Sequence, residues 1–281
     1  MTKYIRQGGG GALKSLPCPG VMGVLNCTPD SFSDGGCFAS VDSALYQARK
    51  MHAEGAAIID VGGESTRPGA AAVSVQEELD RVVPVIESIV AEIPVMVSVD
   101  TSKAEIMRAA VSAGAGLIND VCALQQTGAL EAAVELQVPV CLMHMQGQPR
   151  SMQIQPSYTD VVREVSAFLQ KRIKECASAG IPKNSIMIDP GFGFGKTLEH
   201  NKLLMRQLHE FAQLGYPVLV GVSRKSMIGA ILNKEVGERL FGSVALAALA
   251  VWQGVQFIRA HDVAATVDAV RVIHAIKAAQ S

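Results

Sequence analysis

The sequence lacks a charge bias: 25 Lys and Arg stand against 26 Asp and Glu, a formal net charge of −1. That excludes a nucleic-acid binder working through a general basic field. Charged residues are scarce (18%) and hydrophobic ones plentiful (49%), so the signature of disorder is missing too. No secretory signal is visible, because Lys3, Arg6 and Lys14 surround the run Gly8–Gly11 and no continuous apolar stretch follows. The six cysteines, Cys18, Cys27, Cys37, Cys122, Cys141 and Cys176, include no Cys-x-x-Cys pair. They read as small buried hydrophobes of a reducing cytoplasm rather than as a disulfide framework. His-Glu-x-x-His is absent, as is any cysteine cluster, which argues against zinc. The segment Asp189-Pro-Gly-Phe-Gly-Phe-Gly-Lys-Thr197 mimics a phosphate-binding loop, but position 190 is Pro where a Walker A loop needs glycine. An ATPase is excluded. Leu240 to Ile258 runs 19 residues without a charge, yet Gly254 splits it into a helix-like part and a β-rich part. A buried helix followed by a strand is expected there, not a membrane span.

What the chain does have is a recurring β-rich apolar run. The runs are Val21–Asn26, Ala57–Gly62, Pro94–Asp100, Gly116–Asp120, Pro139–His144, Ser185–Asp189, Pro217–Ser223 and Val255–His261. They are continuous rather than alternating, as strands buried on both faces are. Between them lie helical patterns. Ser74-x-x-Glu77 and Ser102-x-x-Glu105 look like capping boxes, and Gly55, Gly114, Gly180, Gly215 and Gly254 sit where helices should end. Pro84 predicts a kink or a late helix start. Eight strands alternating with eight helices imply a parallel sheet, and 281 residues suit an eight-stranded parallel (β/α)8 TIM barrel. An open doubly wound sheet is the alternative. The barrel is favoured because nearly every run ends in a polar residue, and a barrel brings all eight strand ends to one mouth. One domain spanning 20–281 is expected, after an N-terminal extension over 1–19.

Five strand-end residues invite a ligand: Asn26, Asp60, Asp100, Asn119 and Asp189. Each alone could be capping a neighbouring loop. Together they suit a flat heterocycle rich in donors, since a carboxylate accepts two parallel N–H bonds and a carboxamide offers one donor and one acceptor. Ser223-Arg224-Lys225 and Arg259-Ala260-His261 fall after strands seven and eight, where such barrels commonly hold phosphate. A salt-bridged rim is the plainer explanation. The glycines of Asp189–Thr197 allow close backbone approach, with Phe192 and Phe194 offering aromatic faces. Met143 reads as a pocket wall or core residue; His144 reads as a satisfied buried histidine, with a ligand contact as the alternative.

The motifs, taken in order, resemble those of one family. Val24-Leu-Asn-Cys-Thr-Pro-Asp-Ser-Phe-Ser-Asp-Gly-Gly36 and Ile59-Asp-Val-Gly-Gly-Glu-Ser-Thr-Arg-Pro-Gly69 look like the two signatures of the dihydropteroate synthases. Agreement continues through Ser98-Val-Asp-Thr-Ser102, Ile118-Asn-Asp120, Met143-His144, Asp189 to Thr197, Gly221-Val-Ser-Arg-Lys-Ser226 and Arg259-Ala-His-Asp262. The resemblance covers about residues 20 to 265.

It implies condensation of 6-hydroxymethyl-7,8-dihydropterin diphosphate with p-aminobenzoate, giving dihydropteroate and pyrophosphate. By matching motif, Asp100, Asn119, Met143, Asp189, Phe194 and Lys225 would hold the pterin. Asn26, Thr66, Arg67, Arg259 and His261 would receive the diphosphate, Asn26 through Mg2+. Phe32, Thr66, Pro68, Phe194, Ser223 and Lys225 would line the p-aminobenzoate pocket. Asp100, Lys225, Arg259 and His261 would be the catalytic groups of a dissociative substitution. The loops Thr28–Gly36 and Ser65–Ala70 are expected to order over the reacting centre. The partners implied are small-molecule substrates, with no nucleic acid and no membrane. The evenly apolar segment Arg239–Gln253 suggests a homodimer, as in the family. Rival readings are a pterin-dependent methyltransferase domain, which would lack the two substrate loops, and a catalytically silent pterin-binding protein.

Overall fold

The computed structural model describes residues 13–27, 36–65, 73–147 and 152–279. Eight strands lie within the expected runs or one residue beyond them: β1 Gly20–Asn26, β2 Ile58–Gly62, β3 Met96–Asp100, β4 Leu117–Asp120, β5 Val140–Met143, β6 Ile186–Asp189, β7 Leu219–Gly221 and β8 Phe257–Ala260. All pair in parallel in the order β6-β5-β4-β3-β2-β1-β8-β7. The two ends of that order meet through a bridge between Ile188 and Val218, where the Ile188 N–H donates to the Pro217 carbonyl at 2.9 Å. The sheet is therefore an eight-stranded barrel, and the open-sheet alternative fails.

Continuous apolar strands fit because each face meets a different core. Outward residues such as Leu25, Ile59, Val61, Val97, Ile118 and Val220 pack under the helices in one large cluster. Inward residues Met22, Ile58, Leu117, Cys141, Met187, Leu219 and Phe257 form a second cluster inside the barrel. Leu13 and Leu16 join it from the segment before β1, so the amino-terminal end of the barrel is plugged.

Among the described residues there are ten helices rather than the eight expected, nine in the crossovers and one after β8. They are α1 Gly36–Ala53, α2 Val75–Glu92, α3 Ala104–Ser112, α4 Ala129–Leu136, α5 Val161–Ser178, α6 Leu198–Arg206, α7 His209–Ala212, α8 Ser226–Leu232, α9 Leu240–Trp252 and α10 Val263–Ala278. The last two crossovers are each broken into a pair. Ser74 and Glu77 form the expected capping box on α2, which then runs unbroken through Pro84, so the late start is not observed. The second expected box fails. Lys103 caps α3 without a side-chain bond, and the Ser102 hydroxyl is used by the Asp120 carboxylate instead. A box that was not foreseen opens α6, where Thr197 pairs with His200. The five helix-ending glycines all take positive φ, from 77° to 112°.

No helix among the described residues is long and apolar enough to cross a membrane. The uncharged stretch resolves into α9 and β8, as expected, but α9 is not buried all round. Ser243, Ala247, Ala250 and Val251 are buried, while Phe241 (78% exposed) and Trp252 (54%) stand in solvent.

Candidate active site

Side chains on a strand alternate between its faces, so the residue two places after each inward apolar group also points inward. Along β2 that residue is Asp60, along β4 Asn119, along β6 Asp189 and along β8 Arg259. Each follows a member of the apolar plug, and the interior turns polar within one step of the pleat. Asp60 is fully buried. Its Oδ2 accepts from Arg259 Nε at 2.7 Å and from Asn119 Nδ2 at 3.0 Å. Arg259 Nη2 donates to Asp100 Oδ2 at 2.7 Å, so one guanidinium spans two carboxylates. Asp60 Oδ1 and Ser98 Oγ, which belong to residues paired in register, have no protein partner among the described residues. Gly62 faces Asp100 across the β2–β3 pair, and a Cβ there would lie 3.4 Å from that of Asp100.

Burial dominates the electrostatics. It raises the Asp100 carboxyl to about 7, although Arg259 opposes it. Asp189 is raised by burial as well, against Lys225. Burial lowers the Lys225 ammonium to about 8, with Asp189 resisting. For Arg259 burial works against the charge, but Asp60 and Asp100 outweigh it and the guanidinium stays protonated.

The segment after β6 is a tight cradle. Asp189 Oδ1 accepts the Gly191 N–H at 2.7 Å. Gly191 takes φ +71°, and a Cβ there would fall 1.9 Å from the His144 carbonyl oxygen, so only glycine fits. Lys196, the lysine of the false Walker motif, is 3% exposed and points into its own loop. Its Nζ donates to the carbonyls of Gly191 and Phe194, both at 2.9 Å, and lies 2.9 Å from His144 Nδ1. Burial together with Lys196 depresses His144 to about 3, so the imidazole stays neutral, and burial pushes the Lys196 amine well down as well. His144 is thus the satisfied buried histidine expected. Tyr158 adds a bond from its hydroxyl to the Gly195 carbonyl at 2.8 Å. The cradle presents Phe194 to Lys225, whose Nζ sits 4.5 Å from the ring centroid and donates to the Phe192 carbonyl. After β7, Ser223 Oγ accepts the His261 N–H at 3.1 Å and lies 3.0 Å from His261 Nδ1.

A family model described as pterin binding enzyme matches residues 22–261. The curated dihydropteroate synthase of Haemophilus influenzae (strain ATCC 51907 / DSM 11121 / KW20 / Rd) is 58% identical, covering 92% of this chain and 94% of that one. The chain belongs to the dihydropteroate synthase family of pterin-binding enzymes. It is a transferase. The Yersinia pestis synthase, solved with a sulfonamide drug complex, superposes with a TM-score of 0.89 at 54% identity, covering 93% of this chain and 95% of that one. The Xanthomonas albilineans synthase solved with 4-aminobenzoic acid gives 0.88 at 52% identity, with 93% and 94% covered.

For a dihydropteroate synthase fold, the residues singled out from sequence divide into three groups. Asp100, Asn119, Asp189, Lys225 and Arg259 are brought together in the barrel, with Asp60 linking Arg259 to Asn119. Met143 is buried beside them, in register with Asp189, and Ser223 joins His261 at the rim. Asn26 is half-buried at the end of β1. Phe32, Thr66, Arg67 and Pro68, and with them most of the two loops expected to order, lie outside the described residues.

Two features of the site escaped the sequence, and a third answers to the salt-bridged rim it offered. Lys196 and Tyr158 brace the cradle from behind. Lys103 Nζ bonds to Glu64 (2.9 Å), to the Val73 carbonyl (2.7 Å) and to buried Glu78, while the Thr101 hydroxyl donates to Glu78 at 2.7 Å. Arg224 pairs with Asp262. The adjacency of Thr101 and Lys103 to Asp100, and of Arg224 to Lys225, was the available signal.

Proposed function

We propose that this chain condenses 6-hydroxymethyl-7,8-dihydropterin diphosphate with p-aminobenzoate, releasing pyrophosphate and forming 7,8-dihydropteroate for folate biosynthesis. The observation that carries the reading is the joining of Asp60, Asp100, Asn119 and Arg259 by hydrogen bonds inside one closed barrel, with Asp189 and Lys225 beside them. Two carboxylates and a carboxamide offer the acceptor and donor edges that an amino-pyrimidinone ring needs.

The substitution runs dissociatively. As the C–O bond to the diphosphate breaks, negative charge gathers on the leaving oxygen, and Arg259 and His261 bind it. The cationic methylene left on the pterin is stabilised by its own ring and by the Asp100 carboxylate. Fixed groups aimed at developing charge are each worth about 3 kcal/mol in other enzymes. The arylamine attacks as the neutral amine, then loses a proton to solvent. Asn26, half-buried at the end of β1, would offer one carboxamide oxygen to a magnesium ion held chiefly by substrate phosphates. When bound, the ion neutralises charge on the leaving diphosphate. Phe32, Thr66, Arg67, Pro68, Phe194 and Ser223 complete the diphosphate and arylamine sites, and sulfonamides compete for the latter.

Phe241, Leu249 and Trp252 on α9, with Val272 and Ile276 on α10, leave apolar surface exposed on two packed helices. That surface supports a homodimer. The described cysteines are all free thiols, as in a cytoplasmic enzyme.

The test is pyrophosphate release by the pure protein with magnesium. It should be accompanied by dihydropteroate only when p-aminobenzoate is present. No release with the substrate pair would overturn the assignment.

A further inference from the structure

The turn after β7 holds a strained residue that none of the chemistry above uses. Arg224 takes φ +59°, left-handed backbone that a residue with a Cβ seldom adopts. Such strain persists only where the surroundings over-determine it. Here they do. The Arg224 N–H donates to Ser243 Oγ at 2.9 Å, and its carbonyl accepts from Arg239 Nη1 at 3.1 Å. Ser243 Oγ in turn donates to the Arg239 carbonyl at 2.7 Å, so α9 grips the peptide on both sides. The guanidinium reaches to Asp262, the residue before α10, as a two-pronged fork, with Nε 3.0 Å from Oδ2 and Nη2 donating to Oδ1. One residue earlier on each strand, Ser223 meets His261. Two consecutive residues after β7 are thus pinned to two consecutive residues after β8. Lys225 follows directly, its N–H tied back to the Val222 carbonyl at 3.2 Å.

We propose that Arg224 and Asp262 are positioning residues, a clamp that sets Lys225 and His261 at fixed separation across the barrel mouth. Neither needs to touch a substrate. The inference rests on the functional reading above, which makes Lys225 and His261 substrate contacts.

The experiment compares Asp262→Asn, Arg224→Gln, their double variant and Arg224→Lys with the parent full-length chain. It measures kcat and KM for both substrates, melting temperature and the side-chain 15N signals of His261. Supporting residues of this kind typically change activity 10- to 100-fold. Each single variant should therefore lower kcat/KM by about that factor and shift the His261 signals, with little change in melting temperature. The double variant should be no worse than the poorer single. Arg224→Lys, which keeps the charge and loses the fork, should fall between parent and Arg224→Gln. The charge-swapped pair Arg224→Asp with Asp262→Arg should recover part of the loss. Unmoved His261 signals, losses that multiply in the double variant, or kcat/KM within twofold of the parent would each overturn the clamp. So would an activity loss that only tracks the folded fraction. Lys225→Met separates the two claims. If it retains full activity, the reading of the site fails, whereas the His261 signals judge the clamp independently of turnover.

Discussion

Ile58 and Asp60 point into the same barrel from the same strand, two residues apart, as do Leu117 and Asn119, Met187 and Asp189, and Phe257 and Arg259. The lower member of each pair packs into a dry layer sealed by Leu13 and Leu16. The upper member joins a buried ionic layer where Asp60, Asp100 and Asp189 face Arg259 and Lys225. The difference shows how the fold divides its tasks. The apolar layer stabilises in proportion to buried area and has no directional demands. The ionic layer above it is desolvated at a cost, is held by specific partners, and gains its value only against a ligand of matching charge.

The division can be broken most severely at Arg259. Arg259→Ala leaves Asp60 and Asp100 buried without their cation, which should destabilise the fold by about 3–5 kcal/mol near neutral pH. It should also cut kcat/KM at least 100-fold, since one lost oxyanion donor costs about that much elsewhere. Denaturant melts and pyrophosphate release check both; activity within tenfold of the parent would show that the ionic layer is only structural. Phe257→Ala, one pleat below, tests the converse. A cavity in a sealed core costs about 3–5 kcal/mol, yet kcat per folded molecule should stay within about threefold. A large fall in kcat at full folding would show that the layers are not separable.

A smaller effect should appear with pH. Asp100 is raised to about 7, so it becomes protonated below that, and the stabilisation proposed for it toward the cationic intermediate would be lost. Lys225 is lowered to about 8 and loses its charge above that. The profile of kcat/KM should be a narrow bell with limbs near these values. Asp100→Asn should remove the acid limb while lowering the plateau, and a limb that survives the substitution belongs to another group. The mildest change lies outside the barrel. Phe241→Glu should convert the proposed dimer to monomer by light scattering at micromolar concentration, with stability of the protomer altered by no more than about 0.5 kcal/mol, as for other surface positions.

Much of the architecture was legible because its signals are local. Apolar runs marked the strands, and glycines marked the helix ends through a backbone angle that disfavours other residues. The polar mouth was legible at the strand ends, but the phase of each strand was not. Asn119 and Asp120 are neighbours, and only the first faces the barrel. Asp120 turns outward and accepts the N–H groups of Cys122 and Leu124 and the Ser102 hydroxyl. In a strand buried on both faces, composition does not distinguish the two directions. Long-range partners were hidden for a related reason. Lys196 sits in a glycine-rich loop that suggests an anion, yet its Nζ serves the loop's own carbonyls. Glu78 is a buried acid on α2 whose partners, Thr101 and Lys103, come from the far side of β3. Such pairings depend on which helix lies over which strand.

The sealed floor made by Leu13 and Leu16 has a kinetic consequence. A tube stopped at one end is a cul-de-sac, so traffic in both directions uses a single doorway. On the proposed reading the pterin lodges deepest, among Asp100, Asn119 and Asp189, and the arylamine nearer the threshold by Ser223. Whatever occupies the threshold bars the exit of whatever lies behind it. Turnover should then follow a compulsory sequence, pterin first, visible as arylamine binding that is weak until the deeper seat is filled.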